Sequence, residues 1–216
     1  AMPYVAFDER KEFEPPEIYN MNLSGIVLTV ANLERKFTSV NEYLQHRVAP
    51  AAITKANQAL MRLMALNYDL NITQLGRLMN KFQVRPELSR GIAESMTKGR
   101  SLLHMARMAL ITAAVEAGGV QDFSDRSNKR WKKLLDPETS DDMLAQLDII
   151  TALPPQESDA FPHFLYDNDL NYKRVVQSQK IARKIMRSLG ITPENVVHAP
   201  VSQPELYALR DDIAAG

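Results

Sequence analysis

The chain has 216 residues, 45% of them hydrophobic and 24% charged, the balance of a globular protein rather than a disordered one. Lysine plus arginine equal aspartate plus glutamate at 26 each, so no whole-molecule field points at a polyanion. Cysteine is absent, which excludes disulfides, thiolate metal sites, iron–sulfur clusters and a cysteine nucleophile, and the scarcity of glycine (8 residues) argues against a turn-rich β-sandwich or barrel.

The start, Ala1-Met2-Pro3 followed by Asp8, Glu9, Glu12 and Glu14, lacks the basic segment and apolar stretch of a signal peptide. No apolar run reaches the roughly 18 residues of a membrane span. A cytoplasmic protein without a membrane span is therefore expected. Residues 1–22 read as an irregular acidic arm, 23–190 as a helical domain, and 191–216 as a C-terminal extension packed on it.

Leu23 to Val30 is rich in β-branched residues and reads as the one convincing strand, with Tyr4–Phe7 and Val196–His198 as available partners. After it the signals are helical. Ser39-Val40-Asn41-Glu42 has the form of a capping box for a helix ending near Pro50, and a second helix is expected from Pro50 to about Asn67. A third opens at Asn71 or Thr73. From Pro86 a helical stretch runs to Ala117, with Gly99 as a candidate break. Its second half, Arg100–Ala117, carries Ala106, Ala109, Ala113 and Ala114 at spacings that let another helix come close, and is expected to be central.

Ser124–Leu135 reads as a short basic helix. Asp136-Pro137-Glu138 opens a helix through Leu153, ended by Pro154-Pro155. Residues 156–167 read as an irregular loop carrying Phe161, Phe164 and Tyr166. Asp167 or Asn168 then caps an amphipathic helix ending at Gly190, and Thr192-Pro193-Glu194 and Pro204-Glu205 suggest two further short turns of helix. The expected fold is mainly α, a bundle of six to eight helices with at most a small two-stranded β element.

Catalytic signatures do not assemble. His46, His104, His163 and His198 have no His, Asp or Glu at the helical offsets that preorganise a metal site. His104, among Leu102, Leu103, Met105 and Met108, fits a hydrogen-bonded core residue. The glycines form no phosphate-cradling loop, and no serine sits in a nucleophile elbow. Asp141-Asp142 and Asp167/Asp169 fall where helix starts favour negative charge. No cofactor, no metal and no enzymatic activity are expected.

The basic segments are the informative feature. Lys173, Lys180, Lys184 and Arg187 fall within an arc of about 60° at ~100° per residue, opposite Val175, Ala182, Ile185, Met186 and Leu189. A second cluster, Arg126, Lys129, Arg130, Lys132 and Lys133, surrounds Trp131. Both suit an anionic partner. The ten methionines, concentrated in the helical middle, fit either core filling or an adaptable groove.

The leading expectation is a non-catalytic interaction protein, an adaptor or structural subunit of a larger cytoplasmic assembly, using the two cationic surfaces and the aromatic loop. The alternative is a nucleic-acid-binding protein using 126–133 and 173–187, with a helix-turn-helix layout at 73–96. That layout departs from the usual pattern at Met79 and Gln83, where small residues are the rule. Oligomeric state is not legible.

Overall fold

The computed structural model describes residues 22–33, 40–42, 44, 47–122, 124, 128–137, 141–192 and 201–216. Nine α-helices lie in the described residues: α1 Ser24–Asn32, α2 Pro50–Arg62, α3 Gln74–Asn80, α4 Pro86–Thr97, α5 Leu102–Glu116, α6 Asp142–Thr151, α7 Ala160–Asp167, α8 Tyr172–Ser188 and α9 Gln203–Ala214. Two 3-10 turns, Val40–Glu42 and Arg130–Leu134, accompany them. The fold is mainly α, as the composition implies, with somewhat more helices than expected. No helix here is long and apolar enough to cross a membrane.

The expected strand at Leu23–Val30 is instead helix α1. Its buried residues recur at four-residue steps, Leu23 with Val27 and Ser24 with Leu28, which is the period of a helix face and not of a strand. A helix satisfies its own backbone polar groups, whereas a lone strand needs a partner, and packing here outweighs the β-propensity of Ile26, Val27, Thr29 and Val30. β-pairing among the described residues is limited to two isolated bridges, Leu66 with Ile72 and Gln121 with Leu170. The strand partners named from the sequence, 4–7 and 196–198, lie outside the described residues, as do the arm at 1–21, Ser39, Glu138 and residues 193–194.

Other boundaries move for local reasons. The helix expected to run to Pro50 is only a 3-10 turn in its described part, because the Asn41 carboxamide is tied to both backbone groups of Val48 (2.9 and 3.2 Å). Helix α2 stops at Arg62, well short of Asn67, where Met64 turns to φ 57°. The break at Gly99 is real: its φ is +63°, and Ser101 caps α5 by accepting from His104 N at 3.1 Å. Helix α6 starts at Asp142, later than expected, because Asp141 accepts from Met143 N and Leu144 N. The turn at Pro204-Glu205 is the first turn of twelve-residue α9.

The expectation for Arg100–Ala117 holds. Helix α5 buries Ala106, Ala109, Ala113 and Ala114 and packs against α8, α6, α4 and α9. One apolar core joins α1–α5 to α9 and the C-terminal half of α8, and a second gathers Ala114, Val120, Ile149, Phe161, Leu165 and Val175 around the other end of α5. Met79 and Met108 are buried, while Met64 and Met96 are exposed.

Helix α9 is held by a buried polar cluster. The Asp212 carboxylate is 0% exposed and accepts from Ser95 Oγ (2.8 Å), Lys98 Nζ (2.8 Å), Arg100 Nε (3.3 Å) and His104 Nε2 (2.9 Å). Gly91 lets the helix approach: a Cβ there would lie 2.8 Å from the Asp212 carbonyl. Arg107 pairs with Glu205 one helical face away. Burial opposes the charge on Asp212, but the bonds from Lys98, Ser95, Arg100 and His104 prevail and hold its pKa below the ordinary value. Burial likewise lowers the His104 pKa, against the pull of Asp212, so the ring is neutral and donates from Nε2.

Both depressed pKa values act in one direction: the stability they confer is present above the unfolded-state pKa and is lost as pH falls through the folded value. Unfolding midpoints are therefore expected to fall as pH drops below about 6.5, the ordinary histidine value, and again below the ordinary aspartate range. Replacing His104 with Gln should remove the first decline. Asp212→Ala, which strands partly buried cations, should cost about 3 kcal/mol or more in urea unfolding.

Candidate functional site

Helix α8 carries cations and no acid on its exposed face, with Gln177 among them. Asn171, not Asp167 or Asn168, caps it: the Asn171 side chain accepts from Arg174 N at 3.1 Å, while its own N–H donates to Val120 O at 2.9 Å. Asp167 instead ends α7, and Asn168 follows it. At the other end Gly190, at φ +71°, reverses the chain so that Ile191 N donates to Met186 O at 2.8 Å. Both ends are thus fixed, and the rotation of α8 about its axis is set by burial of Val175, Ser178, Ala182, Ile185 and Met186.

That rotation leaves Lys173, Lys180, Lys184 and Arg187 exposed on one face. Between Tyr172 and Ser188 the helix contains no acid, and none of these four cations joins an ion pair among the described residues. From Lys173 to Arg187 the stripe extends about 20 Å at the ~1.5 Å rise of a helix. Arg183, beside the stripe, donates to Gln156 Oε1 at 3.2 Å.

The second basic segment is built differently from expectation. Arg126 lies outside the described residues, and the rest is a 3-10 turn, not an α-helix. Lys129 precedes it in the left-handed region (φ 55°). Arg130 is committed within the fold: its side chain donates to Asp169 Oδ1 (2.7 and 3.1 Å) and to Tyr166 O (2.7 Å), and its backbone N–H to Asp169 Oδ2 (3.0 Å). Its guanidinium also lies over the Tyr166 ring, 5.6 Å from the centroid. These bonds, first the Arg130 side chain and then its backbone N–H, hold Asp169 down to about 2. The effect is positional, because Asp169 lies two residues before Asn171, the cap of α8. The Arg130–Asp169 pair ties the turn that carries the exposed Lys129, Lys132 and Lys133 to the segment before α8.

The aromatic loop at 156–167 proves to be helix α7 over Ala160–Asp167, and its three rings do not share a surface. Phe161 is 1% exposed, inside the second core and edge-on to Tyr172 at 6.3 Å. Phe164 is half-buried, and Tyr166 is exposed under Arg130. The helical signal was present in the three-and-four spacing of Phe161, Phe164 and Leu165, with Pro162 tolerated in the first turn.

The helix-turn-helix layout at 73–96 yields two short helices, α3 and α4, but α4 does not present a reading face. Pro86, Ser89, Arg90 and Ile92 are buried. Arg85 Nε pairs with Glu116 Oε2 at 3.1 Å, and Arg90 pairs with Glu94. The Asp212 cluster was missed because Asp212 lies more than a hundred residues from Ser95, Lys98, Arg100 and His104. One local signal existed: Asp212 stands three residues beyond Leu209, in core register on α9. Among the described residues no group of His, Asp and Glu could hold a metal ion.

No family model matches the chain. Over 206 residues it is 27% identical to the ATP-dependent RNA helicase HrpA of Escherichia coli strain K12, a match that takes in 86% of this chain and 15% of that protein. The chain therefore corresponds in length to a small part of that relative.

An NMR titration of the Asp169 carboxyl is expected to show a midpoint near 2, returning toward the ordinary 3.8 in Arg130→Gln. A wild-type midpoint already near the ordinary value would show that the pair does not anchor the turn.

Proposed function

We propose that this chain is a non-catalytic helical module that binds single-stranded RNA along the outer face of α8, as an accessory part of a larger assembly. The observation that carries the reading is the exposed row Lys173, Lys180, Lys184 and Arg187, with no acid on the helix and none paired to it among the described residues. Cations held on a rigid element meet a line of phosphates without the entropy cost of ordering a loop. Lys132 and Lys133 are two further exposed cations on the turn that the Arg130–Asp169 pair ties to the segment before α8. The printed name of the relative, an RNA helicase, supports RNA as the polyanion. Exclusion of α4 as a reading helix favours backbone contact over base-specific groove recognition.

The adaptor reading rests on the same stripe with an acidic protein face as occupant, and oligonucleotide length separates the two. RNA affinity should rise with length until the row of cations is filled, whereas an acidic protein site gains nothing from a longer strand.

If the four α8 cations each neutralise a phosphate, the logarithm of the binding constant should fall with the logarithm of salt at a slope of about −2.8. That is about a fifty-fold loss between about 50 and 200 mM salt. The double variant Lys180→Gln/Lys184→Gln should reduce the slope to about −1.4. Failure of the wild-type protein to bind single-stranded RNA at low salt overturns the reading.

A further inference from the structure

The segment joining α2 to α3 is a rigid loop built around Asn67. Leu66 and Ile72 form an antiparallel bridge, Asn67 N donates to Asn71 O at 2.9 Å, and the Asn67 Oδ1 accepts from Asp69 N (3.0 Å) and Asn71 N (2.9 Å). Thr73 Oγ1 closes the base by donating to Met64 O at 2.7 Å. Two non-glycine residues, Met64 (φ 57°) and Leu70 (φ 62°), adopt the left-handed conformation, which costs a leucine or methionine free energy. What the loop holds up is Tyr68, 97% exposed. The loop also buries Ala65 and Leu66 in the core, but the Tyr68 ring, wholly in water, contributes nothing to it.

Beside the ring lies a cleft of about 720 Å³ between α2 and the loop, within the ~300–1,000 Å³ range of small-ligand sites. Met61, Met64 and Leu66 supply an apolar lining. The remaining chemistry is selective. Gln58 and Asn67 contribute carboxamides, and Arg62 contributes the single charge; no carboxylate lines the cleft among the described residues. The Gln58 amide and the Arg62 guanidinium have no hydrogen-bond partner among the described residues. A flat apolar and aromatic environment, amides able to donate and accept, and one cation together match a planar heteroaromatic base that carries a phosphate.

We infer that this cleft takes one unpaired nucleobase, stacked on the Tyr68 ring with its phosphate at Arg62. The inference deepens the RNA reading and rests on it for the source of the base. Helix α8 then supplies sequence-independent attraction and the cleft a contact to the base itself. The loop holds the Tyr68 backbone in place, so stacking has to order only the exposed side chain.

The test uses the full chain with methyl-labelled methionine, observed by NMR. Adenosine monophosphate, and an adenine-containing RNA oligonucleotide, are expected to shift the Met61 and Met64 methyls through the base ring current, while ribose phosphate leaves them in place. Tyr68→Ala, at a fully exposed position, should weaken adenosine monophosphate binding about tenfold, and Tyr68→Phe should hold it within about twofold. Methyls that stay unmoved by both base-bearing ligands, or that move equally with ribose phosphate, overturn the inference. Methyls that move with the mononucleotide but not with the oligonucleotide overturn the strand as the source of the base. The α8 reading is judged separately: an oligonucleotide bound with the expected salt slope while neither it nor adenosine monophosphate moves Met61 and Met64 sinks the cleft alone, and methyl shifts without salt-dependent strand binding sink the α8 reading alone.

Discussion

The seam between α5 and α8 determines what this protein shows to its surroundings. Helix α5 offers a row of alanines instead of large side chains, with Ala106, Ala109, Ala113 and Ala114 all buried, so α8 lies close against it. Close packing leaves α8 no freedom to roll, since Val175, Ala182, Ile185 and Met186 have fixed places in the two cores. Interiors of this density do not tolerate a different register without voids or overlaps. The position of Lys173, Lys180, Lys184 and Arg187 in water is therefore a consequence of apolar packing on the opposite side of the helix.

Around that seam the polar groups divide into those spent on structure and those left over. Arg85, Arg90, Arg107 and Arg130 each pair with a carboxylate inside the described fold, and Lys98 and Arg100 serve the buried Asp212. A net charge of zero thus conceals an asymmetry. Six cations and five acids are used in these pairs, while the α8 lysines join no ion pair among the described residues. A neutral total therefore coexists with a local cationic row, because net charge does not report how charge is distributed over a surface.

Much of this was legible in the sequence where a local rule governs. The central position of Arg100–Ala117 follows from its alanine spacing, the break at Gly99 from glycine's tolerance of positive φ, and the solvent face of α8 from period alone. Failures came where one local rule met a competing one. Leu23–Val30 has strand-like composition, but its burial recurs every four residues and no described strand is there to pair with it. The segment around Phe161 looked like a loop because Pro154, Pro155 and Pro162 punctuate it, although a proline in a first turn is compatible with a helix. Arg130 looked like a surface cation because its partner, Asp169, is 39 residues away, and the Asp212 cluster spans still greater separations. Pairings of that kind are set by the assembled fold and leave no spacing to read.

The central claim, that the α5–α8 seam turns a cationic row outward for an RNA strand, is tested most directly by lysine acylation with and without single-stranded RNA, read by mass spectrometry. The account requires Lys173, Lys180 and Lys184 to react readily in the free protein and to be shielded together by RNA, while exposed Lys81, at the end of α3, stays reactive. Uniform reactivity of all four lysines in the presence of saturating RNA, or resistance of the α8 lysines in the free protein, would contradict it.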